Sequence, residues 1–140
     1  MRVLLDTDVV LDYALGREPF AQNAGKLLEL NAQGAFDGYV SGITPINVFY
    51  VARKMLGRDK VRQILADFLL AFRVCPIDRS ILTDAFALPV TDYEDAVQCT
   101  SAIASELDAI VTRNLKDYEN APLPVLSPAA FLNQLVSPEE

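Results

Sequence analysis

The chain contains no histidine, and this absence excludes several classes of enzyme at once. Serine–histidine and cysteine–histidine nucleophiles, imidazole metal sites and imidazole proton relays all require that side chain. Cysteine is scarce as well: Cys75 and Cys99 lie in apolar stretches and lack the C-x-x-C spacing of a metal or redox motif. We therefore expect two buried thiols in a reducing compartment rather than a disulfide framework.

No hydrophobic run is long enough to cross a membrane. The longest, residues 64–72, is interrupted by Asp67 and falls short of the ~20 residues that a spanning helix needs. The N-terminal segment carries Asp6, Asp8 and Asp12 where a signal peptide needs an uninterrupted apolar stretch. The sequence therefore predicts a cytoplasmic protein with no membrane segment.

Positive charge is also in deficit. The 12 Lys and Arg residues are outnumbered by 19 Asp and Glu residues, and the net charge of -7 repels polyanions as a whole. Any binding to nucleic acid must therefore be local. The one local excess of positive charge lies in residues 53–62 and consists of Arg53, Lys54, Arg58, Lys60 and Arg62. These residues are candidates for binding phosphates, and the alternative is an ordinary solvated helix end and turn.

Short apolar segments alternate with helical patterns along the whole chain. The segments that predict strands are residues 2–5, 36–41, 73–76, 109–112 and 124–126. The segments that predict helices are residues 9–15, 20–32, 45–56 with Thr44 as N-cap, 61–72, 79–88, 93–106 and 128–135. This alternation is typical of an α/β fold, and we expect a three-layer α/β/α sandwich with a central parallel sheet, formed by residues 1–140 as a single domain.

Acidic residues follow the predicted strands and open the predicted helices. Asp6 comes directly after the first strand, at the sheet edge where parallel α/β proteins bind their ligands. The alternative is that Asp6 caps the next helix, and that Asp8 and Asp12 only complement the helix dipole. Asp92 and Asp95 form a second pair, spaced so that both face one side of a helix, and a capping box explains the same spacing.

A third polar group leaves the predicted strand at residues 109–112 and contains Thr112, Asn114 and Asp117. If Asp6, Asp95 and Asp117 meet at one edge of the sheet, their repulsion must be relieved by protonation or by a cation. Oxygen ligands favour Mg²⁺ or Mn²⁺. The chemistry that follows is metal-assisted hydrolysis of a phosphate ester, for which no histidine is needed.

The motifs LLDTDVVLDYALGREPF and TDYEDAVQCTSAIASELDAIVTRNLKDY resemble the two halves of a PIN-domain nuclease, of the kind that serves as the toxin of VapBC toxin–antitoxin pairs. The resemblance implies that Asp6, Asp95 and Asp117 are ligands of Mg²⁺ or Mn²⁺, and we add Asp92 as a further candidate ligand. It implies endonucleolytic cleavage of RNA. The basic stretch 53–62 is then the candidate for RNA binding, and Asp8, Asn47, Thr112 and Asn114 are candidates for supporting or substrate-orienting roles. The resemblance also implies a small antitoxin as partner and a homodimer.

One position departs from the family pattern. Most members carry a glutamate on the helix after the second strand, whereas the matching stretch SGITPINVFYVARK offers Asn47 and no acid. A neutral amide lowers the charge of the site by one unit and should weaken metal binding. Asp92, one turn before Asp95, is a candidate to compensate.

Two other functions fit parts of the sequence. Asp6-Thr7-Asp8-Val9-Val10 matches the opening motif of haloacid-dehalogenase-type phosphatases, in which Asp6 would be the nucleophile, but the later motifs come in the wrong order. A catalytically weakened binding module is the second alternative. It would act through an apolar helix surface, covered by a second copy or by an antitoxin, made of Phe49, Tyr50, Met55, Leu70 and Phe72.

Overall fold

A computed structural model describes residues 1–136 of the chain, so the last four residues of the predicted domain 1–140 lie outside the described residues. The strands in this range are β1 (Arg2–Leu5), β2 (Asp37–Ser41), β3 (Arg73–Cys75), β4 (Ala109–Val111) and β5 (Val125–Leu126). The helices are α1 (Thr7–Leu15), α2 (Phe20–Ala32), α3 (Thr44–Leu56), α4 (Arg58–Ala71), α5 (Arg79–Asp84), α6 (Tyr93–Ala104) and α7 (Pro128–Val136). Short 3-10 turns follow α5 at Ala85–Ala87 and β4 at Leu115–Tyr118.

The strands form one sheet in the order β3-β2-β1-β4-β5, and every pairing is parallel. Side chains of β1 alternate between the two faces, as the pleat requires. Val3 and Leu5 pack with apolar residues of α1, α2, α3, α4 and α7, whereas Leu4 packs with Cys99 and Ala102 of α6. A separate apolar cluster joins α5 to α6. This arrangement confirms the predicted three-layer α/β/α sandwich with a central parallel sheet.

The strand order reverses between β1 and β4, and this reversal positions the candidate site. From β1 the chain continues to β2 and β3 on one side of the sheet, and then crosses to β4 and β5 on the other. The backbone N–H of Asp6 donates to the carbonyl of Val111 at 3.0 Å, so the residues that follow β1 and β4 lie side by side. Parallel α/β sheets bind ligands at the carboxyl ends of strands at such a switch point.

The structure corrects some of the predicted element ends. The helix predicted over residues 79–88 is α5 followed by a 3-10 turn, and it stops where Leu88 turns extended with ψ 142°. Pro89 explains this end, because a proline disfavours helical backbone in the residue before it. Thr44 is not the N-cap of α3: it is the first residue of that helix, and its hydroxyl is buried in a tertiary hydrogen-bond network.

Three further sequence predictions can be compared with the described residues. Cys75 and Cys99 are both buried free thiols, as expected. None of the helices between residues 1 and 136 has the length and the apolar character needed to traverse a bilayer. The predicted apolar surface is smaller than expected, because Phe72 is only 3% exposed and stacks on Phe68 with ring centroids 4.2 Å apart. Tyr50, Met55 and Leu70 do remain exposed.

Candidate active site

The carboxylate of Asp6 is buried at the carboxyl end of β1, with the residue only 3% exposed. The Thr112 hydroxyl donates to Asp6 Oδ2 at 2.6 Å, and the Gln98 amide Nε2 donates to Asp6 Oδ1 at 2.9 Å. Asp6 occupies the N-cap position of α1, but its side chain makes no capping hydrogen bond. Burial raises the pKa of Asp6, an effect that the hydrogen bonds from Thr112 and Gln98 oppose. The capping alternative therefore fails for this residue, and its carboxylate faces the site.

Gln98 is fully buried on α6 and ties four elements to the site. Its Oε1 accepts from the Thr7 backbone N–H and the Thr7 hydroxyl, both at 3.3 Å, and from the Thr44 hydroxyl at 3.5 Å. The hydroxyls of Thr7 and Thr44 lie 2.9 Å apart. Within residues 1–136, no buried side-chain nitrogen or oxygen lacks a hydrogen-bond partner. The hydrogen-bond network around Gln98 is therefore complete, and it directs one N–H of the Gln98 amide to Asp6.

Tyr118 brings Asp6 and Asp95 to one point. Its hydroxyl lies 3.2 Å from Asp95 Oδ1, 3.5 Å from Asp6 Oδ1 and 3.2 Å from Gln98 Nε2. Burial and the charges of Asp6 and Asp95 raise the pKa of Tyr118, so the phenol stays protonated. Partial burial, with the charges of Asp6 and Asp92 beside it, raises the pKa of Asp95 to about 7. Two carboxylates from β1 and α6 therefore share one partly enclosed space.

Asp92 and Asp117 stand beside this pair. The Asp92 side chain accepts from the Asp95 backbone N–H at 3.0 Å, so the capping interpretation is right for Asp92. Asp92 and Asp117 line an adjoining pocket together with Lys116, and both are exposed. Their negative charges contribute to the raised pKa of Asp95. Their roles as metal ligands stay predictions.

Three amide–carboxylate and hydroxyl contacts place the other predicted site residues. The Asn114 side-chain amide donates to Asp8, and the Asn114 backbone N–H donates to the Thr112 hydroxyl at 3.0 Å. The Asn47 amide Nδ2 donates to Glu94 Oε2 at 2.8 Å. Burial raises the pKa of Glu94, and the charges of Asp92, Asp6 and Asp8 raise it further. The hydrogen bond from Asn47 lowers it. The polar residues after β1, β4 and in the first turn of α3 therefore surround the same acidic space.

Among residues 1–136, the acids of this space form no ion pair with a Lys or Arg side chain. The ion pairs in that part of the chain both reach Asp12, from Arg113 at 2.7 Å and from Arg17 at 3.8 Å. A buried carboxylate without a cation is unfavourable, and a bound cation relieves the cost. Asp12 is thus paired with cations, whereas the described contacts of the Asp6 and Asp95 side chains are with neutral hydrogen-bond donors.

The donor set of Asp6 and Asp95 fits a hard divalent cation, since Mg²⁺ is commonly held by one or two carboxylates and keeps several waters. In the described part of the chain, no group of three or more His, Cys, Asp or Glu side chains is arranged closely enough to hold a metal ion. Asp6 and Asp95 are the two carboxylates that the Tyr118 hydroxyl brings together, and the assignment of metal ligands stays a prediction.

The basic stretch lies away from the acids. Arg53 and Lys54 are in the last turn of α3, and Arg58 opens α4. At the helical rise of ~1.5 Å per residue, Arg53 is about 9 Å along α3 from Asn47, which is in the first turn beside the site. The basic residues 53–62 are exposed, and the Arg53 guanidinium lies over the Tyr50 ring, 5.1 Å from its centroid. The stretch is an accessible surface at the junction of α3 and α4, and among residues 1–136 it forms no ion pair with the acids.

The sequence interpretation missed Gln98, Tyr118 and Glu94. Gln98 does carry a signal, because it lies three residues after Asp95, on the same side of α6, inside an otherwise apolar run. Tyr118 follows Asp117 directly and looks like an ordinary core aromatic. Glu94 sits between two acids of the predicted capping box, and the pattern gives it no distinction from a surface charge.

The chain is similar to a known protein family and to several solved structures. A family model described as PIN domain matches residues 2–116. Among solved structures, VapBC2 from Rickettsia felis bound to a DNA fragment from their promoter is similar at a TM-score of 0.71 and 18% identity, over 91% of this chain and 98% of that one. A toxin–antitoxin complex from Klebsiella pneumoniae is similar at a TM-score of 0.69 and 27% identity, over 90% and 97%.

A third similar structure is that of the Mycobacterium tuberculosis toxin VapC20, described as cleaving the sarcin–ricin loop. It has a TM-score of 0.64 and 11% identity, over 77% of this chain and 86% of that one. No curated protein matches the chain.

Proposed function

Because this chain belongs to the PIN domain family, we propose that it is a metal-dependent endoribonuclease and the toxin component of a type II toxin–antitoxin pair. The observation that carries the proposal is the meeting of Asp6 and Asp95 at the Tyr118 hydroxyl, at the switch point of the sheet and without a cationic partner among residues 1–136. The family match favours this function over the phosphatase alternative, in which Asp6 would be a nucleophile. The similarity to solved toxin–antitoxin complexes supports the second half of the proposal.

Asp6 and Asp95 are the residues that would hold Mg²⁺ or Mn²⁺ as direct ligands. Such an ion, when bound, activates water and neutralises charge that develops on the phosphate. Thr112 and Gln98 orient the two oxygens of Asp6 by their hydrogen bonds. Asp92 and Asp117 add negative charge beside Asp95. Asn114 and Asn47 hold Asp8 and Glu94 at the rim of the same space.

The experiment that tests this function is a cleavage assay on the purified chain with single-stranded RNA. We expect internal cuts in Mg²⁺ or Mn²⁺, no cuts in EDTA, and far slower cleavage of DNA with the same base sequence. Sequencing of the fresh RNA ends distinguishes internal cuts from trimming. Cleavage that persists in EDTA would contradict the metal dependence. A folded protein that cuts no RNA under any condition would favour the binding-module alternative.

The basic stretch at the junction of α3 and α4 is proposed to bind RNA phosphates, which the acidic balance of the chain otherwise repels. A pair of charge variants tests this in the same assay. The triple variant Arg53→Gln, Arg58→Gln, Arg62→Gln should flatten the salt dependence of RNA binding by about two units in the log–log slope. The matched triple Lys26→Gln, Arg73→Gln, Arg79→Gln removes as much charge elsewhere. If the two triple variants showed the same slope of binding constant against salt concentration, the basic stretch would have no specific role in RNA binding.

A small antitoxin protein and a second copy of the chain are the proposed partners, in a cytoplasmic setting. The support within the chain is the exposed apolar surface on α3 and α4, where Tyr50 is 59%, Met55 72% and Leu70 89% exposed. Large exposed apolar side chains on two neighbouring helices are typical of an interaction surface. Sedimentation of the purified chain alone tests the homodimer, and a monomer at micromolar concentration would count against it.

A further inference from the structure

Asn47 and Glu94 form a hydrogen bond across the mouth of the site. Asn47 lies in the first turn of α3, and Glu94 is the second residue of α6, so 47 positions separate them in the chain. The Asn47 amide donates to Glu94 Oε2 at 2.8 Å. An exposed glutamate at a helix N-terminus is free to extend into water. Here its carboxylate is instead hydrogen-bonded to a neutral donor from another helix, next to Asp95 on α6.

The position of Glu94 is electrostatically unfavourable in the protein alone. Glu94 and Asp95 are neighbours in the first turn of α6, and Asp92 caps the same helix, so three carboxylates stand together there. Within residues 1–136, no Lys or Arg side chain forms an ion pair with it. The Asn47 amide fixes the carboxylate but brings no positive charge. A like-charged group that is held in place by a neutral anchor becomes favourable when a cation is bound nearby.

We infer that Glu94, positioned by Asn47, is an outer carboxylate of the cation site, which attracts the divalent ion by its charge and through water rather than by a direct bond. This inference rests on the proposed function. The inference explains why residue 47 of α3 is an amide rather than an acid. In this arrangement α3 contributes to the site by holding a carboxylate of α6 in place. It also agrees with the absence, in the described residues, of three acidic side chains close enough to share one ion.

Mn²⁺ affinity, measured by calorimetry on the purified full chain, tests the inference without reference to RNA cleavage. Glu94→Gln keeps the shape of the side chain and removes its charge, so the Kd for Mn²⁺ should rise about tenfold, as for removal of an outer-shell partner. The matched control Glu29→Gln removes the same charge from an exposed position on α2 and should leave the Kd unchanged. Metal-free melting temperatures and far-UV circular dichroism verify that each variant folds.

A double variant distinguishes an effect of the negative charge on Mn²⁺ affinity from an effect of the local structure. Asn47→Asp combined with Glu94→Gln reverses the direction of the hydrogen bond and keeps one negative charge at the same place. It should restore the Kd to within about threefold of the natural chain, whereas Asn47→Leu, which releases Glu94, should weaken binding by several-fold.

An unchanged Kd in Glu94→Gln, or a double variant no better than Glu94→Gln, would overturn the inference while leaving the proposed function standing. Failure of the natural chain to bind Mn²⁺ would overturn both.

Discussion

The Asp6→Asn variant is expected to lose RNA cleavage by about 1000-fold or more while it keeps its fold. Loss of a ligand to a catalytic metal removes several kcal/mol of transition-state stabilisation, and ~4 kcal/mol corresponds to about this factor in rate. The fold should survive because an asparagine retains one oxygen to accept from Gln98, and its amide can donate to the Thr112 hydroxyl. Initial rates of RNA cleavage, with circular dichroism on the same samples, measure both effects.

The matched control is Asp37→Asn, which removes one negative charge from an exposed residue. Asp37 begins β2 and therefore lies at the amino ends of the strands, whereas Asp6 lies at their carboxyl ends. This variant should cleave RNA at the rate of the natural chain. If Asp6→Asn cleaved RNA at the rate of the natural chain, the proposed role of Asp6 would be refuted. Equal losses of the cleavage rate in both variants would point to a general charge effect.

Gln98→Met should lower the melting temperature by about 10 °C. The substitution conserves the length of the side chain but removes the amide that serves Asp6, Thr7 and Thr44 at once. Buried polar groups left without partners cost ~1–3 kcal/mol each, and a loss of about 3 kcal/mol gives a shift of this size in a domain of this length. Thermal unfolding followed by circular dichroism measures it.

Gln63→Met is the control for that substitution, because the Gln63 amide donates to Asp67 on the surface of α4 at 3.0 Å. Surface changes of this kind are worth only a few tenths of a kcal/mol. A melting temperature for Gln98→Met within about 2 °C of the control would show that the buried network carries little stability.

The fold could be predicted because its physical signals are local. Buried parallel strands are short apolar runs, and the helices between them show a clear periodicity, so the sheet and its two helical layers follow from the sequence. The neighbouring positions of Asp6 and Thr112 depend in addition on the strand order, which the sequence pattern alone does not give. Helix ends were less predictable: the rule that made Thr44 an N-cap is local, and a tertiary contact with Thr7 overrode it.

The contacts that complete the site could not be predicted, because they join residues far apart in the chain. Gln98 meets Thr7 across 91 positions and Thr44 across 54 positions. The Asn47–Glu94 contact depends on the relative placement of α3 and α6, which no local pattern encodes. The same pattern could not decide between capping and chemistry either: Asp92 does cap α6, whereas Asp6 occupies a cap position without capping.

The central claim is that Asp6 and Asp95 bind one divalent cation at the carboxyl ends of the strands, where the strand order reverses between β1 and β4. Anomalous diffraction from crystals of the natural chain grown with Mn²⁺ tests it most directly. The account predicts an anomalous peak within bonding distance of a carboxylate oxygen of each of these two residues, next to the Tyr118 hydroxyl. A well-ordered crystal with no peak there at millimolar Mn²⁺, or with a peak only in the pocket between Asp92 and Asp117, would contradict it.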